Sequence, residues 1–327
     1  MRFQPAARTA AFRALAATQP GCTPYHNHRP IFIRKHSEGQ TLASLLAQVR
    51  PYSQDASLME RHRARGWLTV DHKSVGLERV LVAGNIVRMV IPDTVEPAIS
   101  PDLLVLHEDH DILVIAKPSP LPMHPSGRFN KNTLVWLARE AWPDLTLKPV
   151  HRLDANTTGV LVCGKTAPAA RSLVAQFRER RVQKHYIARV HGAPDTPELT
   201  IDAPIAQRPS KAGTRSIQPD GQTARTDVRL LRRFSDGTSL LELRPHTGRT
   251  HQIRLHLQTV GLPIVGENAY TGDANPTTGF TRADPSLCLH ATRIGFHHPT
   301  TEVWMEHAAP PPPWHAHETS APSQPAR

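Results

Sequence analysis

The stretch His151-Arg152-Leu153-Asp154-Ala155-Asn156-Thr157-Thr158-Gly159-Val160-Leu161-Val162-Cys163-Gly164-Lys165 decides how the rest of the chain is read. Val160 to Cys163 is a short apolar run bounded by Gly159 and Gly164, the pattern of a buried strand. The polar residues before it form a loop that feeds the strand. Asp154 therefore sits at a strand mouth, where the strand fixes a carboxylate and the loop leaves it open to a ligand. Turn chemistry alone offers a plainer reading, in which an Asp shortly before a Gly caps a helix or closes a turn. The flanking sequence has to choose between the two.

Downstream of the stretch, Thr166 is a good N-cap for a helix running to about Arg180, with Ala170, Leu173, Val174 and Phe177 on one face. Arg171 and Arg178 lie on the other face, and Arg180-Arg181 and Lys184 follow. Cations at a helix C-terminus are the ordinary dipole arrangement, and they are also what an RNA backbone requires. Upstream, Leu103 to Leu106 and Ile112 to Ala116 form a hairpin across Glu108 to Asp111. Lys117-Pro118-Ser119-Pro120-Leu121-Pro122 cannot be helix. Thr133 to Trp142 is an amphipathic helix stopped by Pro143. Beyond Lys184 the chain reads mostly as strands. Tyr186 lies on one, and Thr226 to Phe234 pairs with Ser239 to Arg244 across Asp236-Gly237. His246-Thr247-Gly248 is a loop, Thr250 to Thr259 a helix closed by Gly261, and Cys288 to Phe296 and Glu302 to Met305 are the last strands. The fold class is α+β, with a mixed, mainly antiparallel sheet.

Five blocks in order then carry a resemblance: Lys117-Pro118; His151 to Asp154 with Thr157-Thr158-Gly159; Lys184-His185-Tyr186-Ile187-Ala188-Arg189-Val190; Thr247-Gly248-Arg249-Thr250-His251-Gln252-Ile253-Arg254; and Leu287-Cys288-Leu289-His290-Ala291. Together they resemble the RluA-type family of pseudouridine synthases over residues 103 to 308. One such motif is weak; five at family spacing are specific. Thr158 stands where the family usually has Ser, and Pro120 where it usually has Gly. The resemblance implies a catalytic domain of pseudouridine synthase type that detaches uracil from its sugar, turns the base and rejoins it through carbon. It implies Asp154 as the essential carboxylate, as nucleophile or as base toward the sugar; the sequence leaves both routes open. It implies Arg254 as the cation beside Asp154, Tyr186 as the residue stacked on the target uracil, and Arg152 as the side chain that enters the stack when the uridine flips out. His151 and Gly159 read as structural.

Bulk properties agree with a polyanionic partner. The 327-residue chain has a formal charge of +11 and a pI near 10.1. No apolar run approaches the ~20 residues needed to cross a bilayer, so no membrane is expected. Cys22, Cys163 and Cys288 stand far apart, which suits a reducing, cytoplasmic compartment. No His-Glu-x-x-His or thiolate pair marks a metal, and the reaction implied needs no cofactor.

The expected layout has five parts. Residues 1–37 lack Asp and Glu and read as a disordered basic extension or a transit segment. Residues 38–93 read as two short helices and a small sheet, similar to the α-L RNA-binding module of ribosomal small-subunit protein S-four. In that module Arg61, Arg63 and Arg65 would contact phosphate. Residues 94–102 read as linker, 103–308 as the catalytic domain and 309–327 as a Pro-rich tail. Arg178, Arg181, Lys184 and Arg249 are the expected RNA contacts around the catalytic site. The expected partner is RNA, with large-subunit ribosomal RNA ahead of transfer RNA because of the appended module, and the chain is expected to be a monomer. A non-catalytic RNA-binding protein on a decayed synthase is the first rival, and a hydrolase using Asp154 with a second carboxylate the other.

Overall fold

The computed structural model describes residues 4–49, 51–208, 214–270 and 287–316. The chain divides into two compact units, Gly21–Glu96 and a larger one made of Met1–Pro20 with Pro97–Arg327. The larger unit thus begins before the smaller one and resumes after it.

Its first element is helix α1 (Pro5–Ala17), in a segment expected to be disordered. The Ala-rich sequence favours helix, and Pro5 is tolerated in its first turn. Phe12 and Ala16 are fully buried, and Phe12 packs on Trp142 with ring centroids 5.5 Å apart. The acids missing from this segment come from elsewhere: Arg8 pairs with Glu108 at 2.7 Å and Asp144 at 2.8 Å. Removal of residues 1–93 would therefore cut into the larger unit's core. Phe12→Ala should cost about 3–5 kcal/mol, read as a lowered urea midpoint with a matching change in Trp142 fluorescence; an unchanged midpoint would show α1 to be dispensable.

The smaller unit holds β1 (Tyr25–Phe32), α2 (Leu42–Leu46), α3 (Ser57–Ala64), β2 (Leu68–Val70) and β3 (Ile86–Thr94), with strand order β1-β3-β2. Thr41 caps α2 by accepting the Ser44 N–H. Leu42, Leu46, Tyr52, Met59, Leu68 and Val87 form its core. The two expected helices are present, and β1 adds residues the sequence had assigned to the extension. Residues 94–102 are not a free linker either. Ile99 and Leu103 are fully buried, and the Gln19 side chain both donates to and accepts from the Ile99 backbone at 2.8 Å.

The chain continues through β4 (Leu104–Glu108), β5 (Ile112–Lys117), α4 (Leu134–Ala141), β6 (Lys148–Pro149), β7 (Thr158–Gly164), α5 (Ala167–Arg178), β8 (Gln183–His191), β9 (Glu198–Asp202), β10 (Arg225–Arg233), β11 (Thr238–Pro245), α6 (Gln252–Thr259), β12 (Leu289–His297) and β13 (Trp304–Ala308). The sheet runs β4-β5-β7-β12-β8-β11-β10-β9, with β13 on β12 and β6 on β7. Its pairs are antiparallel except β7 with β12, which meet in parallel with Thr158 opposite His290 and Gly159 opposite Ala291. Two cores flank this seam, one built on β4, β5, β7, α1 and α4 and the other on β8, β11 and α6, and β12 joins both, with Ala291, Ile294 and Phe296 in the first and Leu289 in the second. Gly159, at φ +119°, lies on the seam against the Ala291 backbone, where any Cβ would collide. The Pro-rich end is partly packed: Trp314 rests on the second core and its carbonyl accepts from the buried Arg189 at 3.2 Å. Residues 317–327 of the expected tail lie outside the described residues.

Candidate active site

Asp154 lies in the loop just before β7, so the parallel seam holds it at the boundary of the two cores. Its own turn is closed by the Thr157 N–H to the Asp154 carbonyl at 3.1 Å. Behind it, Lys117 is buried at the end of β5 and its Nζ donates to the carbonyls of Pro118, Leu121 and Ala155 at 2.8, 2.9 and 3.2 Å. Lys117 thus ties the 117–121 loop to the Asp154 loop. Burial pushes its ammonium down to about 7, against the attraction of Asp154. His151 is also structural in position: its Nε2 accepts the Val162 N–H at 3.0 Å and its ring stacks on Phe177 at 4.7 Å. Burial pushes it down to about 3, so the imidazole is neutral.

The opposite wall comes from the 246–254 segment. Gln252 staples it, accepting from the Thr247 hydroxyl at 2.7 Å and the Arg249 N–H at 3.0 Å. That places α6 so that Arg254 Nη1 donates to Asp154 Oδ2 at 3.1 Å. The rest of the Arg254 fork goes to Glu267, with Nε to Oε2 at 2.6 Å and Nη2 to Oε1 at 2.7 Å. Glu267 Oε1 also accepts the Ala269 N–H at 2.8 Å. The guanidinium is thus shared between two carboxylates, bidentate on the more deeply buried one. His251, at the head of α6 with φ +57°, brings Nε2 to 3.8 Å from Asp154 Oδ2 and hydrogen-bonds Tyr270 through Nδ1 at 2.8 Å.

Burial alone would push the Asp154 carboxyl up. The charges of His251, Arg254 and Arg152 outweigh it, so the group lies below the ordinary carboxylate range and is ionised at neutral pH. Tyr186, on β8, lines the same cavity. Burial and the Asp154 charge hold its phenol well above the usual range. A neutral phenol stacks and donates; it is a poor base.

These groups face a cavity of about 620 Å³. Asp154, Tyr186, Arg254, Arg152, Arg178, Lys184 and Arg249 all line it. Arg152 is exposed there, with no ion pair among the described residues. Lys184 is more committed: its Nζ donates to the Thr247 carbonyl at 2.7 Å, and burial pushes it down to about 8. Arg249 Nε donates to the Thr223 carbonyl at 3.2 Å. Arg181 does not line the cavity and pairs with Glu179 at 3.0 Å. Arg61, Arg63 and Arg65 belong to the smaller unit. Arg61 pairs with Asp55 at 2.9 Å, Arg63 with Glu60 at 2.7 Å, and Arg65 lies over the Trp67 ring at 4.9 Å. Two of the three arginines expected to contact phosphate are therefore partly neutralised by nearby acids. Sequence reading missed Glu267, Tyr270 and the place of His251. Among the described residues no His, Cys, Asp and Glu group could hold a metal ion.

The site thus brings together an ionised carboxylate beside the β7–β12 pairing, a guanidinium next to it and a half-buried phenol in one basic cavity. The family model for RNA pseudouridylate synthase matches residues 111–259. The chain is 36% identical to ribosomal large subunit pseudouridine synthase D of Escherichia coli over 219 residues, which is 64% of this chain and 67% of that one. It is 36% identical to pseudouridylate synthase RPUSD2 of Homo sapiens over 216 residues, 65% of this chain but only 39% of that longer protein. The solved structure of human RNA pseudouridylate synthase domain containing 1 superposes with a TM-score of 0.53 at 29% identity, covering 64% of this chain and 84% of that one. The chain belongs to the RNA pseudouridylate synthase family.

Proposed function

We propose that the chain isomerises specific uridines in RNA to pseudouridine, with large-subunit ribosomal RNA as its substrate. The observation that carries this reading is the ionised Asp154 held against Arg254 in a cavity walled by Tyr186 and rimmed by arginines. Asp154 starts the detachment of the base, as nucleophile or as base toward the sugar. Arg254 keeps it ionised when RNA displaces water from the cavity. Tyr186 stacks on the freed uracil and limits how it turns. Arg152, exposed at the rim, takes the place of the flipped uridine in the helix. Arg178, Arg181, Lys184 and Arg249 supply positive charge along the strand path. Gly21–Glu96 acts as an RNA-binding module of the S-four kind through Arg61, Arg63 and Arg65. The enzyme works as a cytoplasmic monomer without metal or cofactor.

The ribosomal preference rests on that module and on the E. coli relative, whose name specifies the large subunit. The hydrolase reading needed a second carboxylate free to activate water. Glu267 is a second carboxylate, but both of its oxygens are engaged by Arg254. That favours isomerisation over cleavage. Tritium release from RNA carrying 5-tritiated uridine tests the activity. Free uracil in place of pseudouridine would revive the hydrolase, and no release would favour a binding protein. Mapping pseudouridines in total RNA with and without the gene identifies the substrate, and a lost site in transfer RNA would overturn the ribosomal assignment.

A further inference from the structure

Helix α5 ends in an unusual way. The Arg181 N–H returns to the Gln176 carbonyl at 2.9 Å and the Arg180 N–H to the Phe177 carbonyl at 3.2 Å. This is the Schellman closure, whose residue between the cap and the next turn adopts a left-handed backbone and is usually Gly. In this chain it is Arg180, at φ +59°. A side chain there is strained, and such strain persists where something else favours it. The two Schellman bonds offset it through the backbone, but among the described residues no contact of the side chain does. The Arg180 side chain is exposed, and among the described residues it makes no hydrogen bond, ion pair or ring contact. Its neighbours differ: Arg178 and Arg181 share Glu179 at 3.6 and 3.0 Å. Arg180 lines the cavity that holds Asp154, beside Val174, which is 48% exposed and lines it too.

We infer that Arg180 is a substrate-binding residue, held in a left-handed turn so that its unpaired guanidinium meets an RNA phosphate next to the uridine in the cavity. The left-handed backbone sets the direction in which the chain leaves α5, and the Schellman bonds fix that direction. A guanidinium with no internal partner presents its full fork to a phosphate. The inference rests on the RNA reading of the site and adds a residue to it.

The strain makes the test discriminating, because one substitution should move stability and binding in opposite directions. Arg180→Gly in the full chain suits the left-handed turn, so its melting temperature should stay level or rise by up to ~2 °C. Its affinity for a structured transcript of large-subunit ribosomal RNA should fall on the order of tenfold, as for loss of a charged hydrogen bond. The slope of log affinity against log salt should flatten by about 0.7–0.9, one phosphate. Arg171→Ala, on the same stripe of α5 as Val174 and Arg178 but two turns earlier and outside the cavity lining, removes the same charge and should shift affinity less than twofold. Equal losses in the two variants would reduce Arg180 to a share of the general field and overturn the inference. A lower melting temperature for Arg180→Gly would overturn it as well, by showing that the side chain supports the fold. Failure of the unaltered chain to release tritium while these binding differences hold would instead sink the synthase reading and leave the Arg180 contact standing.

Discussion

Asp154→Asn should lower the single-turnover rate by about 10⁴-fold or more while leaving RNA affinity within a few fold, because it removes a charge and keeps the shape. The fold should survive this change. Arg254 keeps both bonds to Glu267 at 2.6 and 2.7 Å, so the guanidinium is not stranded when the 3.1 Å bond to Asp154 loses its charge. The pH profile of the unaltered chain belongs to the same test. Its Asp154 carboxyl lies below the ordinary value of 3.8, so the rate should stay flat through neutral pH and fall only below about pH 4. The associated stability is present above that ordinary value and is lost as pH falls through the lower folded one. Rate and affinity are measured separately, the first by tritium release under excess enzyme and the second by filter binding. Turnover of Asp154→Asn near that of the unaltered chain would remove Asp154 from the chemistry.

What the sequence disclosed follows chain distance. The strand at Val160 to Cys163, the Thr166 cap and the 225–245 hairpin depend on neighbours a few residues away, and their patterns were readable. Helix α1 was read as disordered because what stabilises it lies far along the chain. Phe12 needs Trp142, and Arg8 needs Glu108 and Asp144, none of which its composition reveals. Glu267 escaped notice for a related reason. It follows Arg254 by only thirteen residues, but its meaning comes from the turn after α6, which sets it against the same guanidinium that reaches Asp154 from the far side of the seam. Composition also misled at α3, where Asp55 and Glu60 partly neutralise arginines read as free. The choice between Arg180 and Arg181 needed a backbone angle, which no motif carries.

Arg254→Ala should inactivate the enzyme through Asp154, with RNA affinity changed little. In the native site Arg254 is 12% exposed in its side chain and Glu267 1%. Deleting the guanidinium removes the shared cation from two carboxylates at once, and breaking so buried a pair should destabilise by about 3–5 kcal/mol. Asp154 then keeps the burial that raises its pKa and loses a main counter-charge, at about 1.4 kcal/mol per pKa unit of upward movement. The rate should therefore be low at neutral pH and recover in part as pH rises and Asp154 ionises. Stability should move the other way. A raised folded pKa favours the protonated form, so the variant is least destabilised at low pH and its deficit widens as pH climbs past the ordinary carboxylate value. Arg254→Lys keeps a charge but cannot serve Glu267 with a fork and Asp154 with a third nitrogen, so it should retain part of the rate. Glu267→Gln separates orientation from charge. It leaves Arg254 facing Asp154 alone, which holds that carboxyl lower still, and the rate lost through the loosened fork should not return at high pH. The measurement is single-turnover rate against pH for all three variants, beside melting curves. A rate for Arg254→Ala that is unchanged while affinity falls would make Arg254 a phosphate contact. Recovery of Glu267→Gln at high pH would show that Glu267 does not act through the guanidinium.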